Sequence, residues 1–351
     1  MEGKPKERAS IKDVARAAGV SPTTVSRALR DSGSTVNPML RERILRAARD
    51  LDYTPNMLGR MFKSNRNQEI GIIIPTIVNP FYTQIVLGME TEARQGDYGV
   101  LLCNTLRSTK LENNALRSLF DKRIPGVAIA SVTEEHDLIR KLRQDGLKVV
   151  AVDQELRDVE GCAKVGFHYK KAGMLAAEKL IQSGHRNMAY LSSPLNKQSR
   201  TELLEGFRMG HLAHGRTLRP ENILIDEAED EYTEGIYELE CARRLSQRLI
   251  RMPNRPDGIF VTNDMIAIGL LSALTEHGIQ VPEDLSVVGF DNILFSAMVS
   301  PQLTTIEQPA FEIGRRAYRM LIQMLEGSGD GLTDITLEPK WIERRSVKNR
   351  L

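Results

Sequence analysis

Apolar residues recur at helical spacing through the first fifty positions, and near position 69 the pattern changes to short β-rich runs. In the first stretch Ile11, Val14, Ala15 and Ala18 share one helical face, Ser10 can cap that helix, and Asp13 stands three residues on. Gly19 supplies a residue free to adopt φ > 0, so the chain can stop and turn sharply. Ser21 then caps a second helix with Pro22 at its first position, where a missing amide hydrogen costs little. Val25, Ala28 and Leu29 form its buried stripe, and Pro22, Thr23, Ser26, Arg27 and Arg30 fall on the other face. Asn37-Pro38 opens a third helix with Leu40, Ile44, Ala47, Ala48 and Leu51 at helical spacing. Tyr53-Thr54-Pro55-Asn56 breaks it and offers Asn56 as a fresh cap for segment 57–63, before a polar linker at 64–68.

From Glu69 onward β-rich runs alternate with longer helical ones, which predicts parallel sheets flanked by helices. The first series predicts strands at 70–74, 100–104, 127–130 and 149–152, with helices beginning near Phe81, Lys110 and Glu134. A second series predicts strands at 188–192, 223–225, 258–262 and 285–290, alternating with helices at 170–183, 199–214, 234–249 and 265–277. The expected fold is therefore α/β, with two similar doubly wound lobes behind a three-helix headpiece. Asn79, Asn104, Ser131, Asp153, Ser192, Asn263, Asp264 and Asp291 all follow apolar strands. Turn and cap preferences account for any one of them. Their recurrence points to a cleft between the lobes, because open α/β sheets bind ligands at the carboxyl ends of their strands.

Composition sharpens this division. A chain of 351 residues with 41% apolar content can bury a sizeable core, in two or three domains. The formal charge of +2 conceals an asymmetry: residues 1–68 hold 14 Lys/Arg against 7 Asp/Glu, which leaves 34 against 39 for the remainder. A basic small module on an acidic large one fits a nucleic-acid head joined to a separate body. The short, polar, cationic face of the second helix suits entry into the major groove, where Arg27 could grip a guanine edge or a phosphate. Cys103, Cys162 and Cys241 are widely spaced, with no C-x-x-C and no histidines at ligand spacing, so reduced thiols and no metal are expected. The N-terminus lacks the apolar stretch of a signal peptide, and no apolar run approaches a membrane span, so a cytoplasmic protein is expected.

The whole chain resembles the family of bacterial transcription regulators typified by the lactose, purine and galactose repressors. The resemblance rests on Ile11-Lys-Asp-Val-Ala15, Thr24-Val-Ser-Arg27, Tyr53-x-Pro-Asn56, Asn79-Pro-Phe-Tyr82, Gly184-His-Arg186 and Glu205-Gly-Phe207. It continues through Thr262-Asn-Asp264, the run from Val281 to Asp291, the run from Leu303 to Pro309, and Arg344-Arg-Ser346. It implies a helix-turn-helix headpiece at 9–55, a hinge helix and linker at 56–68, and a periplasmic-binding-protein-like body at 69–351. The N-lobe would comprise about 69–165 and 308–335, and the C-lobe about 166–307 and 338–351.

Carried over by resemblance, Pro22, Thr23 and Arg27 meet base edges, while Ser21, Thr24 and Ser26 lie nearer the phosphates and Arg30 adds a cation. Asn56 starts the hinge helix, Met61 accompanies it, and Phe62 stands where relatives wedge a leucine into the central minor-groove step. Double-stranded operator DNA, a homodimer reading a near-palindrome, and a sugar or related small-molecule effector are the implied partners, with no cofactor. The effector would touch Phe81, Tyr82, Asn104, Asp153, Lys197, Ser199, Arg200 and Asp291. Two departures stand out. Leu203 replaces the arginine that many sugar- and purine-binding relatives place three residues before the Gly-Phe pair, and His168-Tyr169 replaces their aspartate-led pair. These departures leave room for control by a protein partner or for no ligand control. An enzyme is disfavoured because G-x-S-x-G, Walker and H-E-x-x-H motifs are missing. A periplasmic solute-binding protein is disfavoured by the basic headpiece.

Overall fold

The computed structural model describes residues 9–29, 36–53, 68–96, 98–156, 158–228, 237–328 and 334–351, which divide into units spanning 1–67 and 68–351. In the first unit lie α1 (Ile11–Ala18), α2 (Pro22–Ala28) and α3 (Pro38–Asp50). Both the amide and the hydroxyl of Ser10 donate to the Asp13 carboxylate, at 2.9 and 2.6 Å, and Gly19 turns the chain at φ +64°. Ser21 Oγ accepts from the Thr24 amide at 3.2 Å and Asn37 Oδ1 from the Met39 amide at 2.9 Å, so three caps fix three helix starts. Val14, Ala15, Ala18, Val25, Ala28, Ile44 and Ala48 close a small core. Arg41 Nε ties α3 to α2 by donating to the Ala28 carbonyl at 3.2 Å.

The second unit holds two six-stranded sheets. The first comprises β1 (Glu69–Ile74), β2 (Gly99–Asn104), β3 (Gly126–Ile129), β4 (Lys148–Val152), β5 (Ala163–Phe167) and β11 (Ile335–Leu337), in the spatial order β11-β5-β4-β3-β1-β2. The second comprises β6 (Met188–Ser192), β7 (Ile223–Ile225), β8 (Gly258–Val261), β9 (Ser286–Asp291), β10 (Thr304–Glu307) and β12 (Lys340–Ile342), in the order β12-β10-β9-β8-β6-β7. All pairings are parallel except β10 with β12. Each lobe is thus doubly wound, with the strand order reversing between β1 and β3 and between β6 and β8.

Helices α4 (Pro80–Ala93), α5 (Thr109–Asp121), α6 (Asp137–Gln144) and α11 (Ala310–Leu325) belong to the first lobe. Helices α7 (Tyr169–Gln182), α8 (Gln198–Ala213), α9 (Tyr237–Ile250) and α10 (Asp264–Glu276) belong to the second. The chain passes between lobes after β5, after β10, and between β11 and β12. Short edge elements β11 and β12, strand β10 and helix α11 are not evident from local pattern, because their identity depends on that late crossing. Helix α6 starts at Asp137 rather than near Glu134, since a Thr133-centred turn precedes it: its hydroxyl accepts from the Glu135 amide at 3.2 Å.

Two helix pairs meet backbone to backbone. A Cβ on Gly206 would lie 2.0 Å from the Lys170 carbonyl oxygen, and one on Gly173 2.1 Å from that of Leu203, so α7 and α8 pack only through these small residues. Gly88 and Gly314 do the same for α4 and α11. The first turn of α8, with Lys197 before it and Arg200 within it, follows the carboxyl end of β6 in the second sheet.

Candidate DNA-reading face and interlobe cleft

On α2 the buried side is Val25 and Ala28, and Pro22, Thr23 and Arg27 are exposed. Ser21 and Thr24 hydroxyls sit 2.9 Å apart, so both are engaged in the cap, while Ser26 is half-buried. The cationic, hydroxyl-bearing surface expected from the sequence is therefore free of the headpiece core. Arg30, Asn56, Met61 and Phe62 lie outside the described residues.

Between the lobes, the end of β4 places Asp153 in the left-handed region at φ +64°, 7% exposed. Its carboxylate accepts from Tyr82 Oη at 3.3 Å, from Tyr169 Oη at 2.6 Å and from Gln308 Nε2 at 3.2 Å. Tyr169 Oη also donates to the Asp153 carbonyl at 2.6 Å and accepts from Gln308 Nε2 at 3.0 Å. Tyr169 opens α7 and Gln308 follows β10, so this network ties together two of the lobe crossings. Burial, and then the Asp153 charge, push both phenols well above the usual tyrosine range, so they act as neutral donors.

A second bridge spans the cleft. Glu238 on α9 forms an ion pair with Arg107, from the turn after β2, and accepts from Asn79 Nδ2 at 3.4 Å. The Arg107 guanidinium also lies 5.1 Å from the Tyr237 ring centroid. Side-chain exposures of 12% for Arg107 and 4% for Glu238 make this a buried pair.

Asp291 ends β9 at φ +118°, 8% exposed. Burial, followed by the neighbouring charges of Asp264, Asp153 and Glu238, raises its carboxyl well above the usual range. Lys197, half-buried at the start of α8, is lowered to about 8 by desolvation and then by Arg200, with Asp153, Arg107 and Glu112 also within electrostatic reach. Arg200 donates to the Pro194 carbonyl at 2.8 Å. Among the described residues, three buried polar atoms at the carboxyl ends of strands have no hydrogen-bond partner: Asn104 Oδ1 ending β2, Ser193 Oγ after β6 and Thr262 Oγ1 after β8. At one side the cleft opens into a cavity of about 850 Å³ lined by residues of both lobes, among them Val132, Gln154, Lys197 and Glu202.

Of the sequence-expected effector residues, Tyr82, Asp153, Lys197, Arg200 and Asp291 come within one electrostatic cluster. Phe81 instead packs edge-on to Tyr82 in the N-lobe core, centroids 5.1 Å apart. Ser199 occupies the first turn of α8. Arg107, Glu238, Tyr169 and Gln308 were not among the expected residues. Tyr169 had a signal as part of the departing His168-Tyr169 pair, and Gln308 as part of the resembling run from Leu303 to Pro309. Leu203, 1% exposed, sits in the core with Phe167, Tyr169 and Phe290, so the replaced arginine leaves apolar packing in its place. His168 is a surface residue, its Nε2 3.4 Å from Glu338 Oε1. Among the described residues no cluster of potential metal ligands occurs, and no helix is long and apolar enough to cross a membrane.

A helix-turn-helix headpiece carried on a two-lobed body with a polar cleft defines a DNA-binding transcription regulator. The chain belongs to the lacI family of bacterial regulatory proteins, whose signature matches residues 10–56, and a periplasmic binding protein-like domain matches residues 177–347. It is 32% identical over 343 residues to the HTH-type transcriptional repressor PurR of Vibrio atlanticus, covering 97% of this chain and 99% of that one. Among solved structures, the regulator CelR in complex with cellobiose is 26% identical, with a TM-score of 0.70 over 97% of this chain and all of that one. The lac repressor dimer bound to operator shares the fold, with a TM-score of 0.85 at 24% identity over 97% of this chain and all of that one. The protein is a transcriptional repressor rather than an enzyme.

Proposed function

We propose that the chain represses transcription in the cytoplasm as a homodimer, each headpiece reading one half of a near-palindromic operator, under control of a hydroxylated small molecule held between the lobes. Thr23 and Arg27 read base edges beside Pro22, which contributes shape or a thymine-methyl contact, while Ser21, Thr24, Ser26 and Arg30 position the helix on phosphates. Asn56, Met61 and Phe62 supply the hinge segment, and Phe62 wedges the central step. Dimerisation is supported by exposed apolar side chains clustered in sequence around α4 and the edge strand β2: Ile77, Val78, Leu87, Leu102 and Leu106.

The observation that carries effector binding is the set of unpartnered buried polar atoms, Asn104 Oδ1, Ser193 Oγ and Thr262 Oγ1, at the carboxyl ends of strands, with the Asp291 carboxyl, its pKa raised, at the end of another. Leaving a buried polar group unsatisfied costs about 1 to 3 kcal/mol, so a ligand rich in hydroxyls gains by supplying partners. A sugar or sugar derivative has that chemistry, and the cellobiose complex of CelR supports the reading. Asp153 contributes chiefly by holding the lobes, since its oxygens already accept three protein hydrogen bonds. Coupling follows from linkage: an effector preferring one lobe arrangement shifts the dimer towards or away from the operator-gripping form.

The test is a thermal-shift screen of sugars, sugar acids, phosphosugars and purines, followed by operator titration. A true effector stabilises the protein, changes operator affinity, and loses its effect in Asp291→Asn. If every compound leaves both readouts unchanged, small-molecule control is refuted and a protein partner takes its place.

A further inference from the structure

We propose that a recess at the outer end of the C-lobe binds a small polyanion bearing two or more phosphate or carboxylate groups. It has a volume of about 310 Å³ and is lined by Arg186, His211, Arg216, Thr217, Arg219 and Asn222, with no carboxylate in its wall. Met188, the first residue of β6, also lines it, whereas Ser192 at the other end of that strand borders the interlobe edge. At ~3.3 Å per strand residue the two ends lie about 13 Å apart, so the recess is separate from the effector cleft.

Its charge runs against that of the body. Residues 69–351 carry more acidic than basic groups, and several arginines there, though not all, pair with carboxylates: Arg140 with Asp137, Arg244 with Asp226, and Arg315 and Arg319 with Glu92. Among the described residues, Arg186, Arg216 and Arg219 each lie beyond ion-pair distance of any carboxylate. The nearby Asp257 carboxylate is engaged by the backbone amides of Arg186 and Asn187, at 2.9 and 3.1 Å. Three forked guanidinium groups around one concavity match an anion with several oxygens, since each fork can bind a phosphate or carboxylate bidentately.

Part of the wall is held in place without a ligand. Arg216 Nη1 donates to the His185 carbonyl at 2.5 Å. Asn222 Nδ2 donates to Asn187 Oδ1 at 2.8 Å and to the Met188 carbonyl at 2.9 Å, and Asn187 Nδ2 to the Asn254 and Arg255 carbonyls. His211 Nδ1 donates to the Phe207 carbonyl at 2.7 Å, which fixes the ring and leaves Nε2. This preorganised part, formed by His211, Arg216 and Asn222, reduces the ordering cost of binding.

The experiment is calorimetric titration of the full-length protein with pyrophosphate and, in a separate arm, with citrate, at matched physiological ionic strength so that non-specific attraction is screened. The expected result is saturable binding of at least one polyanion, weakened about tenfold or more in Arg186→Ala/Arg219→Ala, whose two side chains are exposed. Arg216→Lys keeps the charge but not the fork, and is expected to weaken binding while the circular dichroism spectrum stays that of the wild type. Asp291→Asn is expected to bind the polyanion normally, which separates this site from the effector cleft. Binding of pyrophosphate alone assigns a phosphate ligand, and of citrate alone a carboxylate one. No saturable binding of either polyanion, or equal affinity in the double variant, overturns the proposal.

Discussion

Replacing Glu238 with alanine is expected to open the lobes. In the closed arrangement the carboxylate pairs with Arg107 and accepts from Asn79, and both charged side chains are nearly out of solvent. Removing one partner of a buried pair costs about 3 to 5 kcal/mol, because the other charge stays desolvated without its counterion. With the lobes apart, Arg107 is hydrated and the loss is small, so nearly all of that cost falls on closure. At 1.4 kcal/mol per decade, the closed-to-open ratio falls roughly 100-fold to 3,000-fold. Small-angle X-ray scattering of the ligand-free protein reads this directly as an increased radius of gyration. The double variant Glu238→Ala/Arg107→Met is expected to recover part of the closure, since it removes the stranded charge as well. A scattering curve for Glu238→Ala that superimposes on the wild type would refute the reasoning, and so would a double variant more open than the single one.

Arg27→Ala is expected to relax base preference at one position of each half-site, by about 1 to 3 kcal/mol, in a binding-site selection. Unchanged preference would remove that residue from base reading. Gly206→Ala would set a Cβ 2.0 Å from the Lys170 carbonyl oxygen and force α7 and α8 apart; overpacking of this kind costs about 1 to 3 kcal/mol or more, readable as a lowered Tm. Asp264, pushed up to about 6 by burial against bonds from Ser296, Thr305 and the Ile293 amide, has a folded pKa above its unfolded 3.8. Its contribution to stability is present below pH 3.8 and lost as pH rises through about 6, roughly 3 kcal/mol in all. Asp264→Asn is expected to flatten the stability profile across that window in denaturant titrations, and an unaltered slope would count against the assignment.

The headpiece was legible because its signals are local. Ser10, Ser21 and Asn37 cap the helices that follow them, Gly19 takes the left-handed conformation, and the apolar stripes become the core. Each depends on residues within about one helical turn, which side-chain periodicity and capping chemistry report directly. The alternation of strands and helices likewise announced two doubly wound lobes. Several cleft residues were visible too, since Asp153 and Asp291 follow apolar strands.

What only the tertiary structure decided is how the lobes are fastened together. Arg107 and Glu238 are 131 residues apart, and Asp153 and Gln308 are 155 apart, so neither pairing leaves a trace in local pattern. The last strands and α11 are ambiguous by pattern for the same reason: which lobe each joins is set by the chain crossing back, and β11 and β12 are three residues long. Leu203 shows both sides. Its identity announced that an expected cation was absent, and burial against Phe167, Tyr169 and Phe290 turned that absence into core packing. Sequence specifies local geometry because neighbours along the chain compete for the same backbone hydrogen bonds. The energetics of the cleft arise from charges brought together across long loops and withdrawn from water, which only the folded arrangement can fix.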